Sequence, residues 1–137
     1  LLDPTSPLRK LSYIVDAFKM FNTQKNTDGV LSISKPYFNP FWVGVSSDDK
    51  NRLSRIFQSH SSVVRRQDVS DFFRINGNFY IWRIDFAISM GSQWIDDGIH
   101  YGIEIPDVMG ISIDTMQEMK LAELILKNPD FLINLPE

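Results

Sequence analysis

LLDPTSPLR, residues 1–9, sets an apolar pair against Asp3, Pro4, Thr5, Ser6 and Pro7. Read locally, Leu1 and Leu2 are the carboxyl end of a strand, the polar run is a turn, and a helix starts behind it. Ser6 suits an N-cap, and Pro7 suits a first helical position, where a missing N–H costs nothing. Leu11, Ile14, Val15, Phe18 and Phe21 follow at helical spacing. A strand that turns into a helix is the building unit of α/β sheets, and open α/β sheets place their ligands at the carboxyl ends of the strands. A strand fragment of two residues is a poor start for a sheet, so the reading expects further chain upstream of Leu1.

The rest of the chain continues the alternation. Asp28-Gly29 closes a loop, and VLSIS (30–34) alternates with period two, as a half-buried strand does. Residues 36–62 are less regular: PYFNPFWVGV (36–45) is aromatic with two prolines, SSDDKNRLSR (46–55) is a solvated turn, and the segment reads as an insertion. FFRINGNFYIW (72–82) has strand composition, with Asn76-Gly77 as a bend or bulge. DFAISMG (85–91) reads as a short helix ended by glycine, and GIHYGIEIP (98–106) as another strand. Asp114 or Thr115 caps a last helix through MQEMKLAELILKN (116–128), which Pro129 closes. The order is α/β with a largely parallel or mixed sheet, in one domain spanning residues 1–137.

Composition narrows the class. The 137 residues are 43% hydrophobic and 12% aromatic, enough for one globular core. A net charge of −3 offers no basic field for nucleic acid phosphates. The absence of cysteine excludes a disulfide framework and a thiolate zinc site. No run approaches the roughly 18 apolar residues of a membrane span, and the first residues lack a signal-peptide pattern. The expectation is a soluble cytoplasmic protein with neither nucleic acid nor membrane as partner. His60 and His100 are too far apart in sequence to suggest a zinc pair, and no Gly-x-Ser-x-Gly or Cys/His nucleophile pattern occurs.

Three segments in order, LLDPTSPLR (1–9), RRQDVSDFFRINGNFYI (65–81) and SIDTMQEMKLAE (112–123), resemble the motifs of the acylneuraminate cytidylyltransferase (CMP-sialic acid synthetase) family. There the first usually reads L-L-Q-P-T-S-P-L-R, the second R-Q-x-x-P-x-x-x-R-x-N-G-x-I-Y, and the third D-I-D-T-x-x-D followed by L-A-E. The resemblance spans nearly the whole chain. It implies a Rossmann-like nucleotide-diphospho-sugar transferase fold, a mixed or parallel sheet with helices on both faces, and an inserted dimerisation segment at 36–62. The family's glycine- and lysine-containing nucleotide loop precedes the first motif and has no counterpart here, so the chain is expected to be the carboxyl-terminal part of a longer enzyme.

The implied reaction is Mg²⁺-dependent transfer of CMP from CTP to a nonulosonic or ulosonic acid with release of pyrophosphate, in a homodimer. That chemistry must spread phosphate charge and hold a carboxylate in line. Carried over residue by residue, Arg66 matches the R-Q arginine, with a catalytic and substrate-binding role, and Asn76 and Tyr80 line the sugar-acid and phosphate side. Asp3, Thr5 and Ser6 belong to the substrate-binding turn. Asp114 matches the second aspartate of D-I-D, a catalytic residue and Mg²⁺ ligand, while Ser112 stands in place of the first and Glu118 where the family usually has a third acid.

The residues also carry plainer readings. Arg65-Arg66 can be a solvated pair, Asn76-Gly77 a turn former, Tyr80 one ring in a strand, and Ser6 a cap. Asp114 can be an N-cap with Gln117 in a weak capping box. Asp3, where the family has glutamine, repels a substrate carboxylate but can supply a metal ligand. Phe38, Phe41, Trp42 and Phe57 either pack on a second subunit or complete the chain's own core. A degenerate domain that binds a sugar acid or another protein without turnover is the alternative function, and a same-fold transferase using another sugar is a third.

Overall fold

The computed structural model describes residues 1–57 and 65–129; His60, the end of the expected insertion (58–62) and the side chain of Arg66 lie outside the described residues. Two compact units form, one from Leu1–Ser34 with the residues from Ile75 onward, the other from Lys35–Arg74.

The first unit is built on a mixed sheet. Strand β1 (Gly29–Ser34) pairs in parallel with β5 (His100–Glu104), Gly29 opposite His100 and Ile33 opposite Glu104. Strand β4 (Arg74–Trp82) flanks β1 on its other side. Arg83 N–H reaches Asp28 O at 2.9 Å, Phe79 N–H reaches Ser32 Oγ at 3.0 Å and Asn76 Nδ2 reaches Ser34 Oγ at 2.7 Å. Partner numbers rise as β4 is read backwards, so β4 runs antiparallel to β1. Beyond β4, Leu2 forms an antiparallel bridge to Phe79, and Leu1 and Tyr80 exchange N–H···O bonds of 2.8 and 2.9 Å. Leu1–Leu2 therefore points the same way as β1 and β5. Their carboxyl ends and the amino-terminal part of β4 share one edge of the sheet.

Helix α1 (Leu11–Thr23) begins four residues after Pro7 rather than at it. Pro7 is instead in a turn and Ser6 lies between two turns, because the chain has to plant Leu8, 3% exposed, among Ile105, Met109 and Ile125 before it can coil. The expected apolar stripe is also rotated. Ala17 is fully buried against Val30 and Phe79, with Tyr13, Ile14, Met20 and Phe21 around it, while Leu11, Val15 and Phe18 face outward. A small residue at 17 lets the helix approach the sheet, and its i±3 and i±4 neighbours follow it inward. Leu31, on the opposite face of β1 from Val30, is equally buried.

The expected helix at 85–91 is α3 (Ile84–Ser89), and a one-turn helix α4 (Trp94–Asp97) precedes β5. Gly29 carries no β-carbon because one would stand 2.5 Å from the Trp82 indole and 2.8 Å from the His100 ring. Helix α5 (Met116–Lys127) starts at Thr115, not Asp114. Thr115 Oγ1 accepts from Glu118 N–H at 3.3 Å, and the Glu118 carboxylate accepts from Thr115 N–H at 2.7 Å, a complete capping box. The box with Asp114 and Gln117 is thereby corrected: the cap needs its partner three positions on, and from Thr115 that partner is Glu118.

The second unit contains a one-turn helix α2 (Pro40–Val43), capped by Asn39, and an antiparallel hairpin of β2 (Val45–Ser47) and β3 (Leu53–Arg55). Phe41 packs edge-on to Phe57 at 4.6 Å and to Phe72 at 5.7 Å, so these rings make a cluster within the unit. Trp42 is half-buried and Phe38 is exposed. No described helix is long and apolar enough to cross a membrane.

Candidate functional site

The first motif, the part of the second that lies in β4 and the start of the third, far apart in the chain, come together in the first unit, towards the carboxyl edge of its parallel strands. The turn after Leu2 is closed by Asp3, whose Oδ1 accepts from Thr5 N–H at 3.0 Å and from Thr5 Oγ1–H at 2.6 Å. Thr5 Oγ1 also lies 2.8 Å from Ser112 Oγ. The Thr5 hydroxyl has a single proton and gives it to the carboxylate, so Ser112 is the donor in the second bond. One residue on, Ile113 N–H donates to Thr5 O at 2.9 Å. The first motif thus holds the third by a side-chain and a backbone bond, and Asp114 follows directly.

Asp3 is held below the usual carboxylate range, chiefly by the Thr5 hydroxyl, then by Thr5 N–H, with Arg9 assisting and burial opposing. It is ionised at neutral pH. Arg9, which follows the turn, is spent on the framework: its Nε donates to Asn78 O at 2.8 Å and its Nη2 to Asp3 O. Through these two bonds its guanidinium ties the first motif to the second.

The second motif enters through β4. Asn76, expected beside the substrate, is buried instead, its Nδ2 donating to Ser34 Oγ and its Oδ1 accepting from Asn78 N–H at 3.1 Å. Ser34 Oγ passes its own proton to Ile105 O at 3.0 Å. Gly77 follows in the left-handed region at φ 74°, which only glycine adopts at little cost. A β-carbon there would stand 3.2 Å from Asp3 Oδ2 and 3.8 Å from the Tyr80 hydroxyl. Gly77 thus forms a bare floor onto which a carboxylate oxygen and a phenol converge. Tyr80 is fixed by stacking on Trp82 at 4.9 Å and 22°, and by an edge contact with Trp94 at 6.1 Å. Burial first, and the Asp3 charge second, push its phenol upward, so it stays protonated at neutral pH.

In the third motif the Asp114 side chain is exposed, and its N–H donates to Glu118 Oε2 at 2.9 Å. Glu118 is held below the usual range, first by the Thr115 hydroxyl and then by Asp114 N–H. Its carboxylate is thus turned onto the helix's own amino end. Among the described residues no group of three or more carboxylate or imidazole side chains is placed to hold a metal ion. Mg²⁺ asks less of a protein, being commonly held by one or two carboxylates, waters and substrate phosphates. Asp114 offers one exposed carboxylate, a donor of the type that mode uses.

Of the expected site residues, Asp3, Thr5, Tyr80 and Asp114 are brought to this edge. The backbone of Arg66 opens a short 3-10 turn (Arg66–Asp68) in the second unit. Ser6 is buried, its Oγ has no hydrogen-bond partner among the described residues, and it does not cap α1, whose N-cap is Lys10. Gly77 and Arg9 acquire roles that their letters alone did not suggest, although a positive-φ glycine beside asparagine is a signal open to reading. The second unit has its own cavity of about 440 Å³, bordered by Lys35, Tyr37, Phe38, Gln67 and Asp71, with Lys35 Nζ 2.6 Å from Asp71 Oδ1.

No protein-family model matches the chain, and no curated protein sequence does either.

Proposed function

We propose that the chain forms the acceptor-sugar side of a cytidylyltransferase of the acylneuraminate type, with a Rossmann-like nucleotide-diphospho-sugar transferase fold. The full-length protein transfers CMP from CTP to an acidic 2-keto sugar. What supports the reading is the Asp3–Thr5–Ser112 chain of hydrogen bonds together with the Asp3–Gly77 approach. These bring segments that resemble one family's three motifs to the sheet edge where α/β folds bind ligands.

In the reaction the anomeric oxygen bonds to the α-phosphorus of CTP, the α–β phosphoanhydride bond breaks, and pyrophosphate and a proton leave. Asp114 would hold Mg²⁺, which when bound neutralises phosphate charge and orients the triphosphate. The chain's own residues position the acceptor: Tyr80 offers a hydroxyl and a ring face, and Asp3, held by Thr5, accepts a donor from the sugar. The like charge of Asp3 turns the substrate carboxylate away from it. Assembly as a homodimer through the 36–62 segment belongs to the same proposal, as does a cytoplasmic location.

One observation favours a second reading, a binding domain without turnover: Ser112 stands in place of a carboxylate, and its proton is already committed to Thr5. The deciding assay is pyrophosphate release by the full-length protein with CTP, Mg²⁺ and a panel of nonulosonic and ulosonic acids. Turnover that falls steeply in Asp114→Asn at unchanged melting temperature supports the transferase. Sugar-acid binding with no pyrophosphate release supports the binding domain.

A further inference from the structure

Asp3 and Tyr80 define what kind of group the floor over Gly77 accepts. Oδ1 of Asp3 already takes both hydrogens of Thr5, whereas Oδ2 is turned toward the Gly77 floor. Neither Oδ2 nor the Tyr80 hydroxyl has a hydrogen-bond partner among the described residues. Both lie within 4 Å of the point that a β-carbon on Gly77 would occupy, and the positive φ at Gly77 keeps that point clear. The stacked Trp82 fixes the direction of the Tyr80 ring, and the Thr5 bonds fix that of the carboxylate. An ionised carboxylate only accepts, so a ligand group placed here has to donate. A neutral phenol accepts as well as donates.

A primary ammonium meets these demands best. Its three hydrogens reach Oδ2 and the phenol oxygen together, and the bond to the carboxylate is charge-assisted on both sides. An acylated nitrogen offers one hydrogen and brings a carbonyl oxygen and a methyl group toward a carboxylate. We propose that the Asp3–Gly77–Tyr80 subsite seats a free, protonated amino substituent of the acceptor sugar and so selects an unacylated amino sugar acid over its N-acetylated counterpart. The inference rests on the sugar-acid reading above and adds the substituent.

Calorimetric titration of the 137-residue chain at pH 7 with one nonulosonic acid, in its free-amino and its N-acetyl form, tests it. The parent should bind the amino form about tenfold tighter, the change that one charge-assisted hydrogen bond brings. In Asp3→Asn, which keeps an oxygen for Thr5, the ratio should collapse to about one while the N-acetyl form retains its affinity. Tyr80→Phe, which keeps the ring stack, should lower the ratio by roughly threefold and decides the matter should Asp3→Asn fail to fold. Equal or reversed affinities in the parent, or a preference that survives both substitutions, overturn the inference alone. A parent that binds neither form overturns it together with the sugar-acid reading.

Discussion

Replacing Asn76 by alanine separates a framework role from a ligand-binding one. The side chain is 4% exposed, and its carboxamide makes two bonds, to Ser34 Oγ at 2.7 Å and from Asn78 N–H at 3.1 Å. Alanine leaves the Asn78 N–H in the interior without its acceptor, a loss of about 1–3 kcal/mol, and removes a neutral bond worth about 1 kcal/mol to Ser34, which keeps Ile105 O as its own acceptor. The sum, about 2–4 kcal/mol, is a large part of the roughly 5–15 kcal/mol that holds a domain of this size together. With a urea slope of about 2 kcal/mol/M, the unfolding midpoint should fall by about 1–2 M at unchanged slope. Loss of sugar-acid affinity should follow only through the altered floor, so Gly77 and Tyr80 would shift before binding weakens. An Asn76→Ala midpoint within about 0.3 M of the parent would refute the reasoning, because a ligand-facing asparagine is expendable to the fold.

Thr115→Ala should cost about 1 kcal/mol of stability through the lost cap, whereas Asp114→Ala should leave the melting temperature nearly unchanged; a loss in Asp114→Ala equal to that in Thr115→Ala would return the cap to Asp114. Hydrogen bonds to the ionised forms depress Asp3 and Glu118, so their stabilisation is complete above the ordinary carboxylate values and drains as pH falls through the lowered ones. Stability measured downward from about pH 4.5, the ordinary value for Glu118, should therefore fall less steeply in Glu118→Gln than in the parent; parallel curves would contradict this. Gly29→Ala sets a methyl against Trp82 and His100 and should cost about 1–3 kcal/mol, read as a lower urea midpoint with a changed tryptophan emission; a neutral result would mean that the indole moves aside freely.

The alternating elements were legible in their type: VLSIS lies in β1, FFRINGNFYIW contains β4, and the last helix ends just before Pro129. The half-buried reading of VLSIS is corrected, because β1 is the central strand and Val30 and Leu31, on its opposite faces, are both buried. The start of α1 was not legible. Ser6 and Pro7 have the local chemistry of a helix start, but Leu8 is claimed by a core that includes Met109 and Ile125, residues a hundred positions away. The same long-range demand rotated the apolar stripe, since Leu11, Val15 and Phe18 match the helical period as well as the residues around Ala17 do. At the candidate site, Asp3, Thr5, Tyr80 and Asp114 were readable as polar groups in motifs. That Asn76 would turn inward depended on Ser34, whose hydroxyl has no sequence signature. The floor at Gly77 depended on the antiparallel pairing of Leu1–Leu2 with β4, and a two-residue strand does not announce its partner.

The most direct test of the central claim is a titration of the isotopically labelled chain with an acidic 2-keto nonulosonic acid, followed through backbone amide shifts. The account requires saturable shifts at Asp3, Thr5, Gly77, Tyr80 and the Ser112–Asp114 stretch. Residues on the outer face of α1, such as Val15 and Phe18, should remain still. Shifts at those outer residues alone, or none at sugar-acid concentrations of about 10 mM, a Kd too weak for any specific subsite, would contradict it.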